Sequence, residues 1–176
     1  DAHGSRLEPA PPPEAWPAGD EWTSRLGERD AWPAYRDLFA QWLENEAAGD
    51  VLGQVLPPLM RGCGAAAFHG LIRTAYAVQA AHRQELADGL AYWACRWLPL
   101  DGRPAGRPRV GLIFEDMMDA AAAPGFEATV ERIPLDEGTL ERLARDSAAL
   151  YAASGDFVVL HLVTSAHAMR SVLPFV

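Results

Sequence analysis

The sequence contains no lysine, because all 15 of its basic residues are arginines. This excludes covalent catalysis through a lysine amine within this chain. The two cysteines, Cys63 and Cys95, form no CxxC pair and are too few for a disulfide framework. There is also no run of about eighteen apolar residues and no charged-then-apolar start, so neither a membrane span nor a signal peptide is predicted. We therefore expect a cytoplasmic protein.

Several catalytic signatures are missing from the sequence. It has no HExxH, no di-iron ExxH, no GxSxG and no phosphate-binding P-loop. Residues Gly62–Ala67 match GxGxxA, but a dinucleotide site needs a strand before that motif, and Pro57–Pro58 stand there instead. We therefore interpret these small residues as allowing a helix to start close against a neighbour.

The composition is that of one globular domain with enough chain for a core, at 176 residues and 49% apolar content. A formal net charge of −9 argues against nucleic acid or an anionic membrane as a partner, because both require a basic surface. Residues 1–20 are rich in proline and are predicted to be a tail or linker. Residues 21–176 are then the folded domain.

After residue 20, apolar residues recur mainly at helical spacing. The first predicted helix has Asp30 as its N-cap and Pro33 in its first turn, and it ends at Gly49–Asp50. A shorter helical segment, Val51–Leu56, is expected to stop at Pro57–Pro58.

Two further apolar helices are predicted within residues 62–98, joined by a polar turn at His82–Gln84. The remaining predicted elements are either a strand at Val110–Phe114 or a helix from there to about Ala123, at most one short strand at Thr129–Leu135, and helices at Asp136–Ser154 and Phe157–Arg170, the latter buried. The sequence therefore predicts an all-α fold: an irregular multi-helix bundle with long Pro/Gly-rich loops.

One helix carries an unusual set of polar residues. His69, Arg73 and Tyr76 are spaced by four and three residues, so they share one face of an otherwise apolar and presumed buried helix. Buried groups of this kind need polar partners. A hydrogen-bonded core histidine, and an arginine held by a carboxylate of a neighbouring helix, explain the same pattern without any function.

A second candidate histidine lies near the end of the chain. Thr164 and Ser165 follow His161 by three and four residues and share its helix face, so His161 is expected to join the polar groups of the core. His167 lies about 240° around the same helix from His161 and is expected to point elsewhere.

The segments 67–77, 85–94 and 160–164 resemble the questin oxidase-like family, and the similarity extends over most of residues 15–176. That family is largely helical and is named for enzymes that open an anthraquinone ring of aromatic polyketides with molecular oxygen. Some members are associated with a non-haem iron held by histidines.

The resemblance implies an oxidoreductase acting on a small aromatic substrate. It marks His69 and His161 as metal or substrate ligands, and it adds Arg73, Tyr76 and Thr164 as catalytic candidates. Non-haem iron is the implied cofactor, with NADPH as an open choice of cosubstrate.

Family members are about twice as long as this chain and carry further histidine-bearing segments on both sides. The domain is therefore expected to be incomplete at both ends, with another chain as one source of the missing segments. Two imidazoles leave coordination positions of an iron ion unfilled. The nearest carboxylates in the sequence are Glu85 and Asp88.

Two other hypotheses remain open from the sequence. The polar stripe is either a structural network in a non-catalytic helical module, or part of a binding protein for a flat hydrophobic ligand. The six tryptophans fit an aromatic pocket or core packing equally: Trp16, Trp22, Trp32, Trp42, Trp93 and Trp97. If His69 and His161 bind one ion, their rings must come within about 5 Å of each other.

Overall fold

The computed structural model describes residues 21–99, 122–132 and 135–176. Within these residues the regular structure is entirely helical, which confirms the predicted all-α fold. The seven α-helices of this described part are α1 (Trp32–Asn45), α2 (Ala48–Met60), α3 (His69–Gln79), α4 (Arg83–Arg96), α5 (Phe126–Val130), α6 (Thr139–Ser154) and α7 (Phe157–Val172). Three 3₁₀-helices complete the set: Trp22–Arg25, Arg29–Ala31 and Leu173–Phe175. The predicted tail at residues 1–20 lies outside the described residues, and so does nearly all of the element predicted from Val110.

Helix α4 is the centre of the core, and it packs against α1 on one side and α3 on the other. The antiparallel direction of α1 and α4 is shown by two polar contacts, from Arg36 to Asp88 and from Arg83 to the carbonyl of Leu43. The largest buried side chains belong to these helices and to α2; they include Tyr35, Phe39, Leu43, Leu52, Leu56, Leu71, Leu90 and Trp93.

Helices α3 and α4 cross at close range because small residues stand where their backbones approach. A Cβ atom added to Gly70 would lie 2.7 Å from the Cβ of Trp93, and one added to Gly89 would lie 3.1 Å from the Thr74 hydroxyl. Before α3, a Cβ on Gly62 would lie 2.6 Å from the Trp97 ring. The expectation that a helix starts within Gly62–Ala67 is wrong, because α3 begins at His69, but the close approach of this segment to a neighbour is present at Gly62.

Helices α6 and α7 form an antiparallel hairpin that joins the core through α3. The side chain of Asp156 begins α7 by accepting hydrogen bonds from the backbone N–H groups of Val158 and Val159, at 2.6 and 3.3 Å. Helix α7 runs parallel to α3, since His161 lies beside His69 at one end and Ser171 beside Gln79 at the other. Only the second half of α7 has buried residues, and α6 has none.

The prediction that α7 is buried is therefore wrong for its first half, where Phe157 is 72% exposed. By length and apolar composition, one described stretch, Phe157–Phe175, meets the criterion for a membrane span, but packed core helices meet the same criterion. The expectation that the chain has no membrane span stays a prediction.

Two predicted helix ends are wrong. Helix α1 ends at Asn45, and Gly49–Asp50 lie in the first turn of α2. The negative charge of Asp50 is stabilised there by the positive end of the helix dipole. Helix α2 then continues through Pro57 and Pro58 to Met60. Proline at these positions leaves the carbonyls of residues 53 and 54 unpaired; both residues are exposed, so water can satisfy them.

The start of α1 and the predicted strand also differ from expectation. Asp30 belongs to a 3₁₀-helix and Ala31 is the N-cap residue, although Pro33 does lie in the first turn. The prediction of a strand at Thr129–Leu135 is wrong for its first two residues, because Thr129 and Val130 belong to the helix Phe126–Val130. The polar turn at His82 is confirmed: its Nδ1 accepts a hydrogen bond from the Glu85 backbone N–H and caps α4.

The close crossing of α3 and α4 gives a testable prediction. Gly70→Ala should lower the free energy of unfolding by about 1–3 kcal/mol, because the new methyl group overlaps Trp93. Gly53→Ala in α2 is the control: a Cβ there meets no atom within 4 Å, so it should be neutral or stabilising by about 0.5–1 kcal/mol. Urea unfolding followed by circular dichroism measures both, and equal effects of the two variants would contradict the close crossing.

Candidate functional site

The first residue of α3 and the second turn of α7 bring two histidines into contact, 92 positions apart in the chain. The Nε2 atoms of His69 and His161 are 3.0 Å apart, and the ring centroids are 4.9 Å apart at an interplanar angle of 50°. The two rings therefore approach within the distance that the sequence hypothesis required. We call them the histidine pair.

The backbone of α7 determines which nitrogen atoms of the histidine pair carry protons. The Nδ1 atom of His161 lies 3.0 Å from the carbonyl oxygen of Phe157, which can only accept a hydrogen bond. Nδ1 of neutral His161 therefore carries the proton, and its Nε2 has a lone pair that accepts from Nε2–H of His69. This arrangement leaves the lone pair of His69 on Nδ1.

The pKa of His69 is lowered from its ordinary value, first by the partial burial of its ring and second by the proximity of His161. Burial disfavours the protonated ring because a charge loses hydration there, and a positive charge on His161 would repel one on His69. His69 is therefore maintained as a neutral imidazole near neutral pH.

The predicted burial of the polar stripe is wrong. His69 is exposed, Arg73 is half-buried and Tyr76 is 48% exposed. The opposite face of α3 packs into the core, through Gly70, Leu71, Thr74, Ala75 and Ala77. The stripe faces outward because α4 takes up that opposite face, so these polar groups need no buried partners and are accessible to a ligand.

A surface cleft of about 410 Å³ runs along this outward face. It is lined by His69, Ile72, Arg73, Tyr76 and Tyr92, and we call it the histidine cleft. The sequence reasoning missed Ile72 and Tyr92. Spacing was an available signal for Tyr92, because it follows Glu85 by seven residues and Asp88 by four, on one face of α4.

Arg73 is held by carboxylates of α4. Its Nε donates a hydrogen bond to Oε1 of Glu85 at 2.6 Å, and an Nη atom lies 3.7 Å from Oδ2 of Asp88. Asp88 also accepts from Arg36 at 2.8 Å. The hydrogen bond from Arg73 lowers the pKa of Glu85. The non-functional explanation for Arg73, a carboxylate from a neighbouring helix, thus has direct structural support, and its catalytic role stays a prediction.

The other candidates of α7 point away from the histidine cleft. The Thr164 hydroxyl donates to the backbone carbonyls of Leu160 and His161 at 3.2 and 3.3 Å, and the cleft lining does not include it. His167 is exposed and lies 3.5 Å from the side-chain amide of Gln79, well along α3 from His69. The expectation that His167 is separate from the site is confirmed.

The backbone just before His69 is in an unusual conformation. Ala66, Ala67 and Phe68 have φ angles of 50°, 54° and 63°, which form a left-handed turn. Each such residue costs about 1–2 kcal/mol relative to a right-handed conformation. Alanine is the best right-handed helix former, so this turn is maintained by its surroundings, and it fixes the point at which α3 and His69 begin.

The family model described as questin oxidase-like matches residues 1–124. The chain belongs to the questin oxidase-like family. No curated protein and no solved structure matches the chain. His69 and the rest of the histidine cleft lie inside the matched range, whereas His161 lies beyond it. Membership of the questin oxidase-like family supports an oxidoreductase-type function.

The donor set of the histidine pair fits a metal ion only in part. Two imidazoles face each other through Nε2, and the Nδ1–H of His161 is anchored on a backbone carbonyl, as metal-binding histidines usually are. Among the described residues, however, no group of three or more His, Cys, Asp or Glu side chains is placed to hold one ion. Glu85 and Asp88 are engaged by arginines, so the described residues supply two iron ligands and no third.

In the left-handed turn, replacing alanine by glycine should change the stability of the protein in the direction opposite to the same replacement in a helix. Ala67→Gly should stabilise the protein by about 0.5–1 kcal/mol, because glycine adopts positive φ without strain. The control, Ala149→Gly in the exposed part of α6, should destabilise it by about 1 kcal/mol. Chemical unfolding of both variants measures this, and a loss of stability in Ala67→Gly would rule out the left-handed turn.

The lowered pKa of His69 predicts a dependence of stability on pH. Below the unfolded-state value of 6.5, the unfolded chain binds a proton before folded His69 does. The stabilising contribution of His69 to the free energy of unfolding is thus fully present above pH 6.5. It falls as the pH drops from there toward the folded-state pKa. Urea midpoints at about pH 7.5 and about pH 5.5 should differ less in His69→Gln than in the wild type. The control variant His167→Gln should retain the wild-type difference, and an unchanged difference in His69→Gln would contradict the prediction.

Proposed function

We propose that this chain provides the site for oxygen-dependent oxidation or ring opening of a flat aromatic, polyketide-like substrate. The observation that supports the proposal best is the histidine pair at a cleft with two tyrosines. Family membership supports the reaction class, and the cleft suggests how the chain's own residues act on the substrate.

The histidine cleft has suitable size and chemistry for an aromatic substrate. Its volume of about 410 Å³ is within the range of small-molecule sites, roughly 300–1,000 Å³. Ile72, Tyr76 and Tyr92 offer apolar and aromatic surface on which a planar ring system can lie. The substrate would therefore bind along α3 with one end next to His69.

The histidine pair would accept a proton from the substrate. In the neutral pair the lone pair of His69 is on Nδ1, where it can take the proton of a phenolic hydroxyl group. The resulting positive charge is shared through Nε2–H of His69 with Nε2 of His161, 3.0 Å away. The product of this step is a phenolate, which is more electron-rich and more readily oxidised than the phenol.

Arg73 and Tyr76 would stabilise the charged substrate. Glu85 and Asp88 fix the guanidinium of Arg73 beside the cleft and compensate part of its charge. Arg73 would therefore orient a substrate oxygen through a remaining N–H group, and the half-exposed Tyr76 could donate a second hydrogen bond. Thr164 would act only indirectly, through the backbone of His161.

The proposal includes a non-haem iron held by His69 and His161 in place of the proton between their Nε2 atoms, its other positions being filled by water, substrate or residues that lie outside the described part. The proton transfer to Nδ1 of His69 belongs to the pair without the ion, because a neutral imidazole that binds a metal has no second lone pair. Such an ion, when bound, supplies the activation of molecular oxygen. A monooxygenase reaction also requires two electrons from a cosubstrate such as NADPH, whereas a dioxygenase reaction incorporates both oxygen atoms and requires none.

A second candidate function is reversible binding of a flat hydrophobic ligand without chemistry. The two tyrosines that line the cleft, and the lack of a third metal ligand among the described residues, favour it. It predicts ligand binding with no consumption of oxygen.

Ferrous ion and an anthraquinone, titrated separately under anaerobic conditions, distinguish these functions. The wild type should bind one ferrous ion, and His69→Ala or His161→Ala should weaken that binding by at least about tenfold, because each removes one ligand. His167→Ala, an exposed histidine on the same helix as His161, should bind iron like the wild type. Spectral titration with the anthraquinone should show binding that Tyr92→Ala weakens.

Oxygen consumption then completes the test. Consumption by the wild type with iron and an anthraquinone, measured with and without NADPH as the electron donor, and its loss in His69→Ala, would support the oxidase. Binding of the anthraquinone without oxygen consumption would favour the ligand-binding function. Unchanged iron binding in the double variant His69→Ala/His161→Ala would exclude the histidine pair as the metal site.

A further inference from the structure

A second cleft, of about 490 Å³, lies between α1 and the 3₁₀-helix Trp22–Arg25. Its lining on α1 is spaced by three and four residues, so these side chains form one face of the helix. Among the described residues, its lining consists of Glu21, Trp22, Leu38, Gln41, Trp42, Asn45 and Glu46. We call it the tryptophan cleft. It shares no residue with the histidine cleft, which lies on α3 and α4.

The two indole rings of the tryptophan cleft are fixed in place by the core. Trp22 meets Phe39 edge-on at 5.7 Å and 71°, and Trp42 stacks on the same ring at 6.4 Å and 5°. Both tryptophans remain half-buried and border the cleft. Indole faces attract cations more strongly than other aromatic side chains do.

The charged groups of the tryptophan cleft are both acidic. Glu46 is oriented by Nε1–H of Trp42 at 3.0 Å and by the amide of Gln54 at 3.1 Å. No arginine lines the cleft, and within the described part of the chain neither Glu21 nor Glu46 forms an ion pair. Two carboxylates that form no ion pair with any described residue therefore lie beside two aromatic rings.

We propose that the tryptophan cleft binds an organic cation that carries an alkylated ammonium group. Such a group is positively charged but apolar on its surface, so it gains both from indole faces and from nearby carboxylates. Anions would be repelled by Glu21 and Glu46, and a neutral ligand would gain nothing from their charge. The proposal does not depend on the reaction at the histidine cleft.

The test compares choline with its neutral isostere 3,3-dimethylbutan-1-ol on the full chain, by isothermal titration calorimetry. The two molecules have the same shape and differ in charge. Choline should bind at least about fivefold more tightly, because only it interacts electrostatically with the rings and carboxylates. Equal affinity of the two, tighter binding of a neutral sugar such as glucose, or no choline binding would overturn the proposal.

Two variants locate the binding site. Glu46→Gln removes one charge while its side-chain oxygen can still accept from Trp42, so choline affinity should fall by about threefold or more and affinity for the isostere should not change. The matched control is Glu44→Gln, an exposed glutamate on α1 that does not line the cleft. Equal affinities for choline in the two variants would place its binding elsewhere and contradict the proposal. Circular dichroism of both variants verifies that they are folded.

Discussion

The contact of Gly70 with Trp93 is the constraint on which the rest of the described structure depends. It brings the backbone of α3 against the indole of α4, at a distance that no larger residue than glycine allows. Because one face of α3 is held there, the opposite face carrying His69, Arg73 and Tyr76 must point outward. The accessibility of the histidine cleft is thus a consequence of core packing.

Polar contacts then position the groups around the histidine cleft. Glu85 and Asp88 hold Arg73 against α4, and the carbonyl of Phe157 orients the ring of His161. The left-handed turn before α3 determines where His69 stands. The contacts of Arg73 join α3 to α4, whereas the other two act within one segment of the chain; together they form a site from helices that are distant in sequence.

Apolar periodicity in the sequence was sufficient for the helical class and for the turn between α3 and α4. The pairing of His69 with His161 was indicated by the family resemblance alone. It was insufficient where tertiary contacts override local rules. Pro57 and Pro58 stay within α2 because the freed carbonyls face water, and Ala66–Phe68 turn left-handed against their intrinsic preference. The outward direction of the polar stripe also depends on the α3–α4 crossing, which periodicity alone does not specify.

Helix α7 carries one half of the histidine pair on a segment that the core hardly holds. Its first half has no buried residue, and α6, its hairpin partner, has none at all. Because Ala168 and Val172 anchor the second half of α7 in the core, it is α6 and the first half of α7 that can detach in a local opening, with α1, α3 and α4 still folded. The complete site therefore forms only when the segment with His161 docks against α3, in an equilibrium separate from the folding of the core. On warming, the two imidazoles should separate at a lower temperature than that at which the core unfolds.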